Sequence, residues 1–81
     1  MSWEKKYDDL KPGQLFQATK PFYETTPIRV FKAKTPIMVI GKDYIGLDYN
    51  DSKVYYLVED IKSSMDAYNF FICFEEMKQW V

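Results

Sequence analysis

The sequence predicts a small, mainly β domain built from four or five antiparallel strands, with short helical turns at both ends. Its 81 residues leave room for one hydrophobic core, and therefore for a single domain over residues 1–81. Apolar residues make up 47% of the chain and aromatic residues 19%, enough side-chain area to offset the entropy lost on folding. Runs of aromatic and β-branched residues alternate with polar turns, and a small closed sheet would remove the exposed edges of such strands.

The N-terminal segment predicts a helical turn followed by the first strand. Trp3, Tyr7 and Leu10 are spaced by four and three positions, which places them on one stripe of a short helix. Residues 11–13 read Lys-Pro-Gly. Such a sequence ends a helix, because proline biases the preceding residue toward extended geometry and glycine permits a tight turn. Residues 15–23 are rich in aromatic and β-branched side chains, so we expect the first strand at 15–19, continuing through 21–23.

The middle of the chain predicts two central strands. Residues 28–34 follow a polar loop and fit either a strand or a long ordered loop. Residues 37–42 contain four consecutive apolar residues, as expected for a strand that is buried on both faces or bent by Gly41. The composition of residues 48–52 predicts a turn, and strongly β-forming residues follow at 54–58.

The C-terminal segment permits two interpretations. Several apolar residues after position 65 fall at helical spacing, which predicts an α+β fold with a C-terminal helix over 65–80. Aromatic and β-branched residues are also concentrated over 68–74. We prefer a strand over residues 68–74 followed by a short helical turn over 75–80.

The order of these elements resembles that of an SH3-like barrel, whose strands would lie at residues 15–19, 37–42, 54–58 and 68–74. The resemblance covers residues 11–81 and is one of pattern. The sequence has neither the Ala-Leu-Tyr-Asp-Tyr-like first strand nor the Trp-Trp pair of signalling SH3 domains, so it does not imply proline-motif binding. The short, histidine-free, Tyr- and Lys-rich composition is similar to that of small accessory proteins of large phages. That similarity implies a viral protein that inhibits or redirects a host protein.

Composition argues against catalysis and against a bound metal or cofactor. Histidine is absent, which removes the commonest metal ligand and the usual general base at neutral pH. The only cysteine, Cys73, lies in the apolar run Phe-Phe-Ile-Cys-Phe, as is typical of a small buried side chain. The acidic residues between 43 and 51 lack the spacing of a calcium-binding loop. We therefore expect a non-catalytic protein with no metal and no cofactor.

The sequence also predicts a cytoplasmic protein. No apolar run approaches the roughly 18 residues that span a bilayer. The first residues lack the basic-then-apolar order of a signal peptide. We expect no membrane partner.

Charge is divided unevenly along the chain, although the formal net charge is only −1. Residues 20–42 hold five basic residues and one acidic residue, a local charge of +4. Residues 43–81 hold eight acidic and three basic residues, a local charge of −5. Two interpretations follow: the segments neutralise each other across paired strands, or they form a dipolar surface with one basic and one acidic patch.

Surplus aromatic residues predict a surface that binds a protein partner. Seven tyrosines and two tryptophans exceed what a core of this size can bury, since each ring covers about 150–250 Å². Exposed Tyr and Trp are enriched at binding hot spots, and Tyr44 and Tyr49 in the central loop are candidates. The oligomeric state stays open.

A basic segment with interleaved aromatic residues predicts the alternative, nucleic-acid or nucleotide binding over residues 20–42. The acidic second half would repel phosphates unless it faces away, so a protein partner is preferred. Together, the candidate binding residues are Tyr23, Arg29, Lys32, Lys34, Tyr44 and Tyr49.

Overall fold

A computed structural model of the chain describes residues 3–25, 28–44 and 52–77, which contain two helices and seven strands. All pairings between these strands are antiparallel, so the prediction of a mainly β fold is confirmed. In chain order the elements are α1 (Trp3–Asp8), β1 (Leu15–Ala18), β2 (Phe22–Thr25), β3 (Ile28–Phe31), β4 (Pro36–Tyr44), β5 (Ser52–Val58), β6 (Ile61–Asp66), α2 (Ala67–Cys73) and β7 (Phe74–Glu76).

Five of the strands form one sheet in the order β6-β5-β4-β1-β7, and β2 and β3 form a separate hairpin. Adjacent strands lie about 4.8 Å apart, so a flat sheet would separate β6 from β7 by about 19 Å. The seven-residue helix α2 joins these two outer strands, and a helix of that length spans only about 12 Å from the last residue of β6 to the first of β7. The sheet must therefore curve strongly, and its inner face encloses the core.

The central strands β4 and β5 bury alternate residues, as a pleated strand with one inner face requires. Ile37 and Val39 of β4 are buried, whereas Met38 and Ile40 are half-buried on the other face. The register with β5 shifts between Val39 and Gly41. Ile40 is thus the extra residue of a β-bulge, a feature that bends strands. The alternating burial excludes a strand buried on both faces and favours the second explanation, a strand bent next to Gly41.

An aromatic cluster forms the centre of the core. Phe16, Tyr56, Phe70 and Phe74 are almost fully buried. The ring centroids of Phe70 lie 5.1 Å from those of both Phe16 and Phe74, within the range of favourable aromatic pairs. These rings join β1, β5, α2 and β7 into one core, and truncation of any of them to alanine would cost about 3–5 kcal/mol.

The predicted order of the C-terminal elements was wrong. The structure has a helix at Ala67–Cys73 followed by a strand at Phe74–Glu76, where we expected a strand over 68–74 and then a helical turn. The alternative, a helix over 65–80, was wrong over the described residues, because positions 65 and 66 belong to β6 and the pairing of β7 with β1 ends the helix at Cys73. Residues 78–80 of both predictions lie outside the described residues. The Asp66 carboxylate caps the helix by accepting a hydrogen bond from the Asn69 backbone N–H at 3.1 Å, and an Asp cap of this kind favours helix over strand.

Strand β6 was not predicted from the sequence. Its exposed Lys62 and Ser64 alternate with the half-buried Ile61, Ser63 and Met65. As an outer strand, β6 is paired along one edge only and its other edge is unpaired, so it tolerates this polar composition. The N-terminal helical turn, by contrast, is confirmed as α1. Residues 48–51 of the predicted turn, Tyr49 among them, lie outside the described residues, and Ser52 is the first residue of β5.

Candidate interaction surface

Four of the six candidate binding residues lie on or next to the β2–β3 hairpin. Tyr23 is in β2 and Arg29 is in β3, while Lys32 and Lys34 follow β3 directly. Tyr44 lies elsewhere, at the end of β4, beside a depression lined by Tyr7, Asp8, Lys42 and Asp43. Tyr49 lies outside the described residues. The structure therefore brings together four of the candidates, Tyr23, Arg29, Lys32 and Lys34, but does not join them to Tyr44.

The register of the hairpin gives it two different faces. Phe22 pairs with Phe31 and Glu24 with Arg29, whereas Tyr23 pairs with Val30 and Thr25 with Ile28. Successive side chains of a strand point to opposite sides, so the first two pairs share one face and the last two share the other. The first face lies against the five-stranded sheet, and the second is exposed.

Aromatic contacts hold the inner face at the base of the hairpin. The Phe22 ring stacks on Phe31 with centroids 5.0 Å apart and an interplanar angle of 23°. It also meets the edge of Phe74 at 5.1 Å. Because Phe74 belongs to the core, these rings tie the hairpin to the rest of the fold.

A half-buried carboxylate, that of Glu24, holds the middle of the inner face. One oxygen of Glu24 accepts a hydrogen bond from the Tyr56 hydroxyl at 2.9 Å, and the other accepts one from the Ser63 hydroxyl at 2.6 Å. Tyr56 is fully buried. Burial raises the pKa of its phenol well above the ordinary value, and the hydrogen bond to Glu24 adds to this effect. The phenol therefore stays protonated, and continues to donate, at pH values at which an exposed tyrosine ionises.

Arg29 holds the hairpin to the turn between β5 and β6. Its guanidinium makes an ion pair with Glu59 and a second one with Asp60 at 3.3 Å. The same group lies over the Phe31 ring, 5.3 Å from the centroid, at a distance that suits a cation–π contact. Its positive charge is thus balanced within the fold.

The outer face of the hairpin carries large apolar side chains in contact with solvent. Ile28 is 79% exposed, Val30 76% and Tyr23 68%. The sequence reasoning found Tyr23 but missed Ile28 and Val30. Their alternation with Arg29 and Phe31 could have indicated that apolar residues occupy both faces, although it could not tell which face is covered.

Three exposed lysines, Lys20, Lys32 and Lys34, lie at the base of the hairpin. The Phe22–Phe31 pair places Lys20 and Lys32 at the same end of it, and the Lys34 backbone N–H donates to the Ala18 carbonyl at 2.8 Å. Within residues 3–25, 28–44 and 52–77, none of the three makes an ion pair. We use the term hairpin surface for the following set: Tyr23, Ile28, Val30, Lys20, Lys32 and Lys34.

No protein-family model matches the chain, and searches of curated proteins and of solved structures found no match either. The resemblances to SH3-like barrels and to small phage proteins therefore stay predictions. In the described part of the chain, no three His, Cys, Asp or Glu residues are grouped in a way that could hold a metal ion. No helix among those residues is long and apolar enough to cross a membrane.

Proposed function

We propose that the protein is a non-catalytic interaction module that binds another protein through the hairpin surface. Support comes from the contrast between the two faces of the hairpin: the inner face is held by rings, hydrogen bonds and ion pairs, whereas the outer face presents Tyr23, Ile28 and Val30 to solvent. A surface held rigidly before binding loses little conformational entropy when a partner covers it.

The partner we propose has an apolar centre bordered by acidic residues. Burying Ile28 or Val30 fully would contribute about 1.5–3 kcal/mol each, and Tyr is among the residues that most often dominate binding energy. The exposed Lys20, Lys32 and Lys34 lie at the base of the hairpin that carries this apolar face. Acidic groups on the partner would complement them and accelerate association.

A nucleic acid is the less favoured partner. Of the basic residues in the 20–42 segment, Arg29 is paired with Glu59 and Asp60. The Lys42 ammonium donates to the Tyr7 and Asp8 carbonyls at 2.8 Å each. Three lysines beside an apolar face suit a protein better than a phosphate backbone, whose binding depends on many phosphate contacts.

The proposal includes the setting and the mode of action. A single cysteine in the chain fits a reducing cytoplasm. Binding would act by covering part of the partner, as the similarity to phage accessory proteins implies, and would inhibit or redirect it. The absence of histidine from the sequence supports a role without catalysis.

The test compares two threonine variants in a partner-capture experiment from host lysate. Ile28→Thr/Val30→Thr keeps both β-branched shapes while making the outer face polar. Ile72→Thr makes the same kind of change at another exposed apolar residue, 45% accessible on α2, and serves as the control. We expect proteins recovered by the wild type and by Ile72→Thr to be lost with the double variant.

The captured partner is then purified and titrated against each variant by calorimetry. We expect at least about tenfold weaker binding by the double variant, because two apolar contacts are lost. Equal affinity of the double variant and the wild type would refute the proposal. Capture that disappears after nuclease treatment, with affinity falling steeply as salt rises, would replace the protein partner with a nucleic acid.

A further inference from the structure

A groove of opposite charge to the hairpin surface lies between the N-terminal segment and the outer strand β7. Its volume is about 560 Å³, and Leu10, Phe16 and Phe71 are among its lining residues. Ligand sites commonly have volumes of about 300–1,000 Å³. The groove shares no lining residue with the hairpin surface, so it can bind independently of the function proposed above.

The floor of the groove is apolar and largely aromatic. Leu10, Phe16 and Phe74 are almost fully buried beneath it, and Phe71 is half-buried. The Phe16 and Phe71 rings lie 6.2 Å apart at an interplanar angle of 62°. This edge-to-face contact helps to set the orientation of Phe71, the most accessible ring in the groove.

The rim of the groove is acidic. It contains the carboxylates of Asp9, Glu75 and Glu76 against the single ammonium of Lys6. The ion pairs found among the described residues involve only Arg29 with Glu59 and Asp60, so the rim carboxylates are not neutralised within that part of the chain.

Strand pairing places two of these carboxylates on opposite sides of β7. Glu76 is paired with Phe16 and therefore shares its face of the sheet, next to the aromatic floor. Glu75 is paired with Gln17, whose side-chain amide donates to the Glu75 carboxylate at 2.8 Å. That hydrogen bond restrains Glu75 before any ligand binds.

We propose that this groove binds an arginine side chain of a partner protein. A guanidinium is planar, donates two parallel hydrogen bonds to a carboxylate and stacks on aromatic rings, so it matches both the rim and the floor. A lysine ammonium matches the charge but lacks the flat face. A neutral side chain would cover the rim carboxylates without compensating them, which is unfavourable.

The test titrates the full chain with N-acetyl-arginine amide and follows the amide NMR spectrum. N-acetyl-citrulline amide, which has nearly the same shape without the charge, is the control probe. We expect saturable shifts at Phe16, Phe71, Glu75 and Glu76 with the arginine probe and no saturable shifts with the citrulline probe. Equal shifts with both probes, or no saturable shift with arginine, would overturn the proposal.

Variants of the rim and the floor complete the test. Glu76→Gln should weaken arginine binding about two- to fivefold, as expected for one exposed ion pair, and Phe71→Leu should weaken it to a similar extent through the lost cation–π contact. Asp60→Asn makes the same charge change outside the groove, at a side chain that is 88% exposed, and should leave the affinity unchanged. Amide spectra without probe verify that each variant is folded. If Asp60→Asn weakens binding as much as Glu76→Gln, the effect is one of net charge and the groove is not the site.

Discussion

Tyr56→Phe removes one hydroxyl and leaves the ring that packs in the core. That hydroxyl donates to the Glu24 carboxylate at 2.9 Å from a fully buried position. A hydrogen bond to a charged acceptor contributes about 1.5–3 kcal/mol to stability. Glu24 keeps its second bond, from Ser63 at 2.6 Å, so the carboxylate is not left without a partner. We expect Tyr56→Phe to lower the free energy of unfolding by about 1.5–3 kcal/mol.

Urea denaturation measures this loss, with thermal denaturation as a second probe. For a domain of this size each kcal/mol corresponds to about 4–8 °C, so the melting temperature should fall by roughly 6–24 °C. Because Glu24 belongs to the hairpin, hydrogen exchange in β2 and β3 should accelerate more than in β5, where Tyr56 itself lies. A loss below about 0.5 kcal/mol would mean that this hydrogen bond stabilises the fold no more than the hydrogen bonds that the same groups make to water in the unfolded chain. Uniform acceleration in both regions would mean that it does not anchor the hairpin.

Three further predictions concern pH, the helix cap and the glycines. The folded-state pKa of Tyr56 is raised by burial above the ordinary value of 10.0, so its contribution to stability is fully present below pH 10 and is lost as the pH rises further. Urea midpoints of the wild type should fall faster over this range than those of Tyr56→Phe, and parallel curves would contradict this. Asp66→Ala should cost about 0.5–2 kcal/mol in urea denaturation while Asp66→Ser costs much less, because serine still caps α2; equal losses would rule out capping as the cause. Gly13 has a φ of 94° and Gly41 has no positive φ, and an added Cβ meets nothing within 4 Å at either. Gly13→Ala should therefore cost about 1–2 kcal/mol in thermal denaturation, because alanine is strained at a positive φ, and Gly41→Ala should cost almost nothing. Similar effects of the two substitutions would show that backbone strain does not decide the outcome.

Local sequence signals predicted the strands that have strong, uninterrupted patterns. The runs around Ile37 and Val54 are apolar and β-branched, and both lie in central strands. The pattern around Phe70 was ambiguous, since helical spacing and aromatic enrichment coincide there. Pairing of β7 with β1 decided the order, and it joins residues that come together only in the fold. The cap at Asp66 is a local contact to Asn69, three residues on, and was a signal in the sequence that the prediction missed.

The candidate surface was predicted in part. The sequence indicated a basic, aromatic segment containing Tyr23 and Arg29, and the structure places both on one hairpin. It could not indicate that Arg29 is balanced by Glu59, 30 positions away. Nor could it indicate that the outer face of the hairpin is open, because exposure depends on how neighbouring elements cover a strand.

The sequence by itself determined a mainly β chain with one small aromatic-rich core, because strand propensity and apolar content are local properties. It also determined the opposite charges of residues 20–42 and 43–81. Only the tertiary structure decided which charged side chains make ion pairs or hydrogen bonds within the fold and which lie beside an exposed surface. Side-chain alternation presents two faces on every strand, and long-range packing alone selects the face that is buried: Glu24 and Arg29 of the hairpin turn inward, and Ile28 and Val30 turn outward.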